Sequence, residues 1–296
     1  NCYCRRGSQP IKSFPNFVGN SELASLPNDS NCLYIHEIRI SENQKNVNIQ
    51  KRMRFCYTKI VGFLDFIFPK YCVNCRKIGA YICANCFSFI SFDTEMICLI
   101  CNKGSFDGQT HPRCRGRYAI DGAFSAISYK GIVKKLIYNF KYKPFLSDLN
   151  KTLVELFYES IIQNEIFQKI YVSKPILVPI PLHKNRLLKR GYNHSELLAK
   201  GLSRRLNLKI INILKRTKDT KSQFGLNLKK RKENIKDAFA IDPNYLITLP
   251  RRQASQLPNI LLVDDILTTG STLLEAARVL KRSGVKKVWG LTLARD

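Results

Sequence analysis

Acidic residues are scarce in this chain of 296 residues: 22 Asp and Glu stand against 49 Lys and Arg, a formal net charge of +27. Such a surface repels polycations and attracts polyanions, which points to nucleic acid or phosphorylated small molecules. A lysine-rich surface inherited from an AT-rich genome would give the same balance, and composition alone keeps both readings open. Long apolar runs are also missing. None nears the ~18 residues of a spanning helix, and the start lacks the basic-then-apolar pattern of a secretory signal, so no membrane insertion and a cytoplasmic location are expected. Methionine is nearly absent; the chain begins at Asn1 and its first methionine is Met53. The first 52 residues hold eight Asn and no sustained period, so the expectation is disorder, or upstream sequence translated before a start at Met53.

Cysteine, by contrast, is abundant. There are eleven, an odd number, and eight fall between Cys56 and Cys114. Mostly they form C-x-x-C pairs, which suits metal binding in a reducing compartment better than a disulfide framework. Cys72, Cys75, Cys83 and Cys86 make two knuckles, the spacing that grips four corners of a tetrahedral Zn2+. Cys98, Cys101, His111 and Cys114 form a second set in which an imidazole replaces one thiolate. No nucleophile partner accompanies them, so structural sites are expected, with crossed pairing of knuckles or a remnant module that holds no metal as alternatives.

From Ile60 to Phe68 a short apolar stretch with helical spacing ends at Pro69, too short to anchor in lipid. After Cys114 helices and strands alternate. "GIVKKLIYNFKYK" puts Ile132, Val133, Leu136, Ile137 and Phe140 on one helical face, and "LNKTLVELFYESII" continues helical. "PILVPIPLH" reads as a buried strand. "NHSELLAKGLSRRL" predicts a helix capped by Asn193 with Glu196 closing a capping box, and with Leu197, Leu198, Gly201 and Leu202 facing inward. Strands are expected at Ile210 to Leu214, at Ile260 to Val263 and in "KKVWGLTLA", with a helix from Thr272 to Ser283 ended by Gly284. The alternation predicts an α/β fold with a mostly parallel sheet flanked by helices. The expected division is an extension over 1–59, a zinc-ribbon-like domain over 60–118 and the α/β domain over 119–296.

The stretch "ILLVDDILTTGST" carries the chemistry. An apolar strand delivers Asp264 and Asp265 to its carboxyl end, where open α/β sheets bind ligands. Free N–H groups at the following helix start, with Thr and Ser hydroxyls and Gly270 for close approach, make a phosphate cradle. Adjacent carboxylates suit ribose hydroxyls and a hydrated Mg2+. An ordinary strand-to-helix turn with common N-cap residues is the competing reading.

On these residues the chain resembles the type I phosphoribosyltransferases. Residues 60–296 resemble the ComF/GntX family, bacterial proteins linked to natural competence. The resemblance is carried by the double cysteine module, "VPIPLHKNRLLKRGYNHSELLAKGLSRRL", "TKSQFGLNLKKRKENIKDAF" and the phosphate signature. His111 departs from the cysteine more common in the family. The resemblance implies that Asp264 and Asp265 hold the ribose hydroxyls of phosphoribosyl diphosphate (PRPP) with Mg2+, while Thr268, Thr269, Gly270, Ser271 and Thr272 cradle its 5-phosphate. It also implies that Arg190, Gly191, Tyr192 and Asn193 border the diphosphate side, with Arg186 and Lys189 adding charge. "SQFGLNLKKRKEN" would be a mobile closing loop with Arg231 and Asn234 as its family-typical residues.

Basic segments crowd residues 183 to 252, with Tyr192, Phe224 and Phe239 nearby, so bases of a single strand could stack while lysines follow its backbone. A solvated basic face or a funnel for PRPP would look the same. The resemblance implies single-stranded DNA handling in natural competence, with helicase or recombination partners, one of which could dock on the zinc module. The alternative is an active phosphoribosyltransferase with an unidentified acceptor.

Overall fold

A computed structural model of the chain describes residues 69–142, 149–220, 228–243 and 259–296. Four strands form its central sheet: β1 (Gly122–Ser128), β2 (Ile176–Pro179), β5 (Ile260–Leu267) and β6 (Val288–Arg295), in the order β1-β6-β5-β2 and all parallel. A parallel sheet is covered on both faces and its strands are therefore apolar almost throughout; Leu261, Leu262, Val263, Leu291 and Leu293 are fully buried. Two of the expected strand limits change. β5 does not stop at Val263 but runs through both aspartates to Leu267, because β6 is long enough to pair it out to Leu267↔Arg295. Beside β2 only Ile210 bridges, to Leu177, and the chain then leaves the sheet as β3 (Leu214–Arg216), which pairs antiparallel with β4 (Phe239–Ile241). The strand expected over 210–214 is thus divided between two sheets.

A short helix, α1 (Ala84–Phe87), lies inside the cysteine module. α2 (Gly131–Tyr142) buries the five apolar residues that its period predicts, and α3 (Leu149–Ile161) adds Leu153, Val154 and Phe157. α4 (Glu165–Tyr171) is capped by the Asn164 side chain, which accepts from the Phe167 N–H at 2.9 Å. α5 (Lys184–Arg190) precedes α6 (His194–Leu206), where Leu198 and Leu202 face inward as expected, joined by Ala199 and Leu206. Gly201 lets α6 meet α3 closely: a Cβ there would lie 2.3 Å from Val154 Cγ2.

The expected capping box does not form. Asn193 is the N-cap residue, but its Nδ2 donates to the Ile180 carbonyl at 3.0 Å, and Glu196 pairs with Lys200 at 2.7 Å. α7 (Leu228–Ile235) packs on α8 (Ser271–Arg282), which ends one residue before its Ser283 C-cap, with Gly284 at φ 96° as the stop that the sequence predicts.

Side chains of the cysteine module enter the same core as the sheet domain. Cys72, Ile82 and Phe87 share a cluster with Phe124, Leu136 and Phe157, while Ile97 and Leu99 share another with Ile120, Leu267 and Leu273. The readings for residues 1–52 and 60–68 lie outside the described residues. No helix among the described residues is long and apolar enough to cross a membrane.

Candidate ligand pocket and metal centres

The second half of β5 carries the paired carboxylates. Asp264 Oδ1 accepts from Ser195 Oγ and from the Asp265 N–H, both at 2.9 Å. Asp265 is buried and takes the Lys141 ammonium at 2.9 Å on Oδ2 and 3.0 Å on Oδ1. Burial, then the charge of Asp265, pushes Asp264 up to about 7. Burial acts the same way on Asp265, but Lys141 outweighs it, joined by His194 at the acid pH where that ring is protonated, and the carboxyl is held below the usual range. Near neutral pH the pair therefore carries one firm negative charge, on Asp265, and one group poised between protonation states.

His194 is neutral, since burial chiefly pushes it down to about 4. Its Nε2–H then faces the Lys141 carbonyl at 3.5 Å and Nδ1 faces Arg190 Nη1 at 3.5 Å.

Beyond β5 the chain turns through Thr268 and Thr269 into the N-terminus of α8. Gly270 is the N-cap residue, left-handed at φ 70° and ψ 1°, a conformation that side chains with a Cβ adopt at a cost. Thr269 Oγ1 and Ser271 Oγ lie 2.9 Å apart, and Thr268 and Thr272 are half-buried. A helix N-terminus with four flanking hydroxyl residues offers an anion both N–H and O–H donors. The five loop residues are therefore together, next in sequence to the carboxylates.

The segment from Arg190 to Asn193 splits by role. Arg190 lies 5.2 Å from the centre of the Tyr142 ring. Gly191 caps α5 at φ 79°, Tyr192 donates to the Phe140 carbonyl, and Asn193 holds Ile180. The latter three brace the backbone that carries Arg190. Arg186 donates to the Thr220 carbonyl and Arg216 Nη2 to Thr220 Oγ1 at 2.5 Å, so two guanidinium groups share one threonine. Burial, then repulsion from Arg186, pulls Arg216 down to about 10. Arg231 and Asn234 fall on α7, a helix, where a mobile loop was expected; residues 222–227 of that segment lie outside the described residues.

Sequence reasoning missed Lys141, Ser195 and Arg216. Lys141 looked like one more lysine on the polar face of α2, and Ser195 like a helix N1-turn residue. Arg216 sat unremarked in a basic run. Only their convergence on Asp265, Asp264 and Thr220 marks them.

The cysteine module brings each expected metal set together. The ligand atoms of Cys72, Cys75, Cys83 and Cys86 lie within 4.8 Å of one another, as do those of Cys98, Cys101, His111 and Cys114. Crossed pairing between the sets is thereby excluded. Cys75 Sγ and Cys83 Sγ are 3.5 Å apart and Cys101 Sγ and His111 Nδ1 3.3 Å. Two Zn–S bonds of ~2.3 Å at a tetrahedral angle span about 3.8 Å, so both groups fit Zn2+. The His111 Nε2 lies 3.0 Å from the Gly104 carbonyl, which fixes the proton there and leaves the Nδ1 lone pair facing the thiols. Against burial, backbone N–H groups of Cys75, Cys83 and Asn74 draw the Cys72 thiol down to about 6, and those of His111, Cys101 and Ile100 draw Cys98 to about 7. Asn74 also links the first set to the sheet domain: its Nδ2 donates to Cys86 Sγ at 3.4 Å and its Oδ1 accepts from Lys135 of α2 at 2.9 Å.

Both parts of the chain resemble known proteins. The double zinc ribbon domain family matches residues 63–115, and the phosphoribosyl transferase domain family matches residues 189–296. Competence protein F of Haemophilus influenzae is 38% identical over 151 residues, 49% of this chain and 62% of that protein. DNA utilization protein YhgH of Escherichia coli K12 is 37% identical over 118 residues, 39% of this chain and 48% of that protein. Competence protein ComFC of Bacillus subtilis is 29% identical over 234 residues, 73% of this chain and 84% of that protein. The chain thus spans between about half and two thirds of the first two relatives and most of the third.

Proposed function

We propose that this chain, which matches a double zinc ribbon and a phosphoribosyl transferase domain and is similar to competence protein F and ComFC, is a competence or DNA-utilization protein of the cytoplasm, with a PRPP-type pocket, that handles single-stranded DNA. The observation that carries the reading is the succession on one strand end of an ionised Asp265, a second carboxyl in Asp264, and a hydroxyl-rich loop at a helix N-terminus. In this reading Asp264 and Asp265 receive ribose hydroxyls, Thr268 to Thr272 receive the 5-phosphate, and Arg190 with Arg186 and Arg216 attracts the diphosphate. Mg2+ would be held through water by the two carboxylates and would neutralise the diphosphate. Arg231 and Asn234 of α7 would border the same pocket.

Single-stranded DNA suits the pocket mouth. Tyr138 and Tyr142 stand one turn apart on α2, 58% and 55% exposed, with ring centres 5.0 Å apart and Arg190 against the second ring. Exposed aromatic faces next to cationic groups stack bases without reading sequence. A helicase or recombination protein would then share the same strand.

A ligand-binding screen with PRPP, ribose 5-phosphate, nucleotides and single-stranded oligonucleotides tests the reading. PRPP should bind more tightly with Mg2+ than without, and oligonucleotide affinity should fall linearly with log salt. Absence of PRPP binding removes the pocket assignment, and absence of oligonucleotide binding removes the DNA role. A second reading, turnover by an active phosphoribosyltransferase, is favoured by one observation: Asp264, at about 7, can take a proton from an acceptor at neutral pH. The acceptor atom would bond to ribose C1 as the C1–O bond to diphosphate breaks, and the acceptor proton would pass to Asp264. Diphosphate release from PRPP, with and without nucleic acid, decides that reading.

A further inference from the structure

We infer that the second metal knuckle positions the phosphate loop through Leu99, so that the zinc module is a structural wall of the ligand pocket. The inference rests on the reading of Thr268 to Thr272 as an anion-binding loop. Leu99 lies between two metal ligands, Cys98 and Cys101, and is 1% exposed. What it covers is Gly270. A Cβ built on that glycine would lie 2.9 Å from Leu99 Cδ2, 3.1 Å from Cδ1 and 3.3 Å from Cγ, so the leucine sits directly against the glycine backbone.

The contact is seated at both ends. On the loop side, Leu267 and Leu273, the residues that enter and leave the turn, are buried in the same cluster as Leu99, Ile97 and Ile120. On the metal side, the knuckle is closed by Cys98 N–H to Lys103 O at 3.0 Å and Asn102 N–H to Cys98 O at 2.8 Å, with Asn102 left-handed at φ 58°. Further bonds tie the segment down, Ser105 N–H to Met96 O and Thr110 N–H to Asp121 O, both at 2.9 Å, and its regular structure is two three-residue 3-10 turns, Phe106–Gly108 and Pro112–Cys114. Leu99 therefore sits on the knuckle turn itself, between Cys98 and Cys101. Zn2+ on the four gathered ligands would hold that turn, and Leu99 with it, in one position.

The consequence for the pocket follows from the direction of the push. Gly270 is the N-cap of α8, and its φ of 70° sets where the N–H groups of the next residues aim. Leu99 packs on that glycine from the module side, which leaves the loop one resting position instead of several. Amides already aimed at one point bind an anion without first being ordered, and the saving appears as affinity. Leu99 is a positioning residue: it acts on the ligand through the loop.

The test uses the full chain with zinc bound and Leu99→Ala, Leu99→Met and Leu153→Ala variants. Leu153 is equally buried but lies on α3 in the other core cluster, so its truncation measures general destabilisation. Zinc content, amide hydrogen exchange over 268–274 and PRPP affinity by calorimetry are measured for each. Leu99→Ala should keep its zinc, exchange its loop amides about tenfold faster and bind PRPP about tenfold more weakly, with Leu99→Met recovering most of both. Leu153→Ala should leave loop exchange and affinity near those of the parent. If Leu99→Ala does not fold, Leu99→Val, which removes one methylene, replaces it with the same direction of change. Parental exchange and affinity in the Leu99 variants, or equal changes in Leu153→Ala, overturn the inference. Should the parent itself bind no PRPP, the pocket reading falls, and loop exchange alone decides whether the knuckle holds the loop.

Discussion

Replacing Asp264 with Asn should make the protein more stable at alkaline pH and nearly unchanged at acid pH. Both hydrogen bonds to Asp264, from Ser195 Oγ and the Asp265 N–H, end on Oδ1, and an asparagine carbonyl oxygen accepts both. The exchange therefore removes the charge and little else. In the folded protein this carboxyl is raised from 3.8 to about 7, so between those values the unfolded chain has released a proton that the folded chain still holds. Stability contributed by the group is fully present below its unfolded pKa and is lost as pH rises through the folded one. About three units at ~1.4 kcal/mol each would give ~4 kcal/mol, and coupling to Asp265 reduces this to roughly 2–4 kcal/mol.

Urea unfolding of parent and Asp264→Asn at pH 4.5 and pH 8.5 measures the difference directly. At pH 4.5 the parent carries a neutral acid that resembles the amide, and the two should agree within about 1 kcal/mol. At pH 8.5 the variant should be the more stable by roughly 2–4 kcal/mol. Equal differences at the two pH values, or a variant less stable at pH 8.5, would refute the assignment of Asp264 as the poised member of the pair. The same variant should lose PRPP affinity, because the proposed pocket uses this carboxylate for the ribose hydroxyls, and stability and binding then oppose each other at one group.

Lys141→Met leaves Asp265 buried without its cation, and the expected cost is about 3–5 kcal/mol at pH 7 by urea unfolding. Adding Asp265→Asn should recover more than half of it. Tyr142→Ala should weaken oligothymidylate binding by about 1–3 kcal/mol with an unchanged salt slope, since a stacking residue is removed and no phosphate contact is lost; an altered slope in fluorescence titrations would overturn the stacking role. His111→Ala should reduce bound zinc from two ions to one per chain by elemental analysis, whereas His111→Cys should keep both.

The doubled cysteine pairs were legible as metal sets because two ligands per knuckle is a local property of spacing. What remained open was which knuckle joined which, and the position of His111. The fold answered both, placing His111 Nδ1 3.3 Å from Cys101 Sγ with Nε2 held by Gly104. The amphipathic face of α2 was equally plain, yet its period assigned Lys141 to solvent along with the other lysines. A helix period records which side a residue leaves on, and cannot record that a long side chain bends back to a carboxylate from a distant strand.

"ILLVDDILTTGST" by itself determined a buried strand, two carboxylates and a hydroxyl-rich turn into a helix in that order, since strand burial, turn chemistry and helix capping act over a few neighbouring residues. Tertiary structure alone decided how the carboxylates share their charge and what holds the loop. Lys141 stabilises Asp265 across 124 positions, Ser195 reaches Asp264 across 69, and Leu99 of the cysteine module rests on Gly270. Electrostatic balance and packing depend on distance through space, and only the folded chain sets that distance.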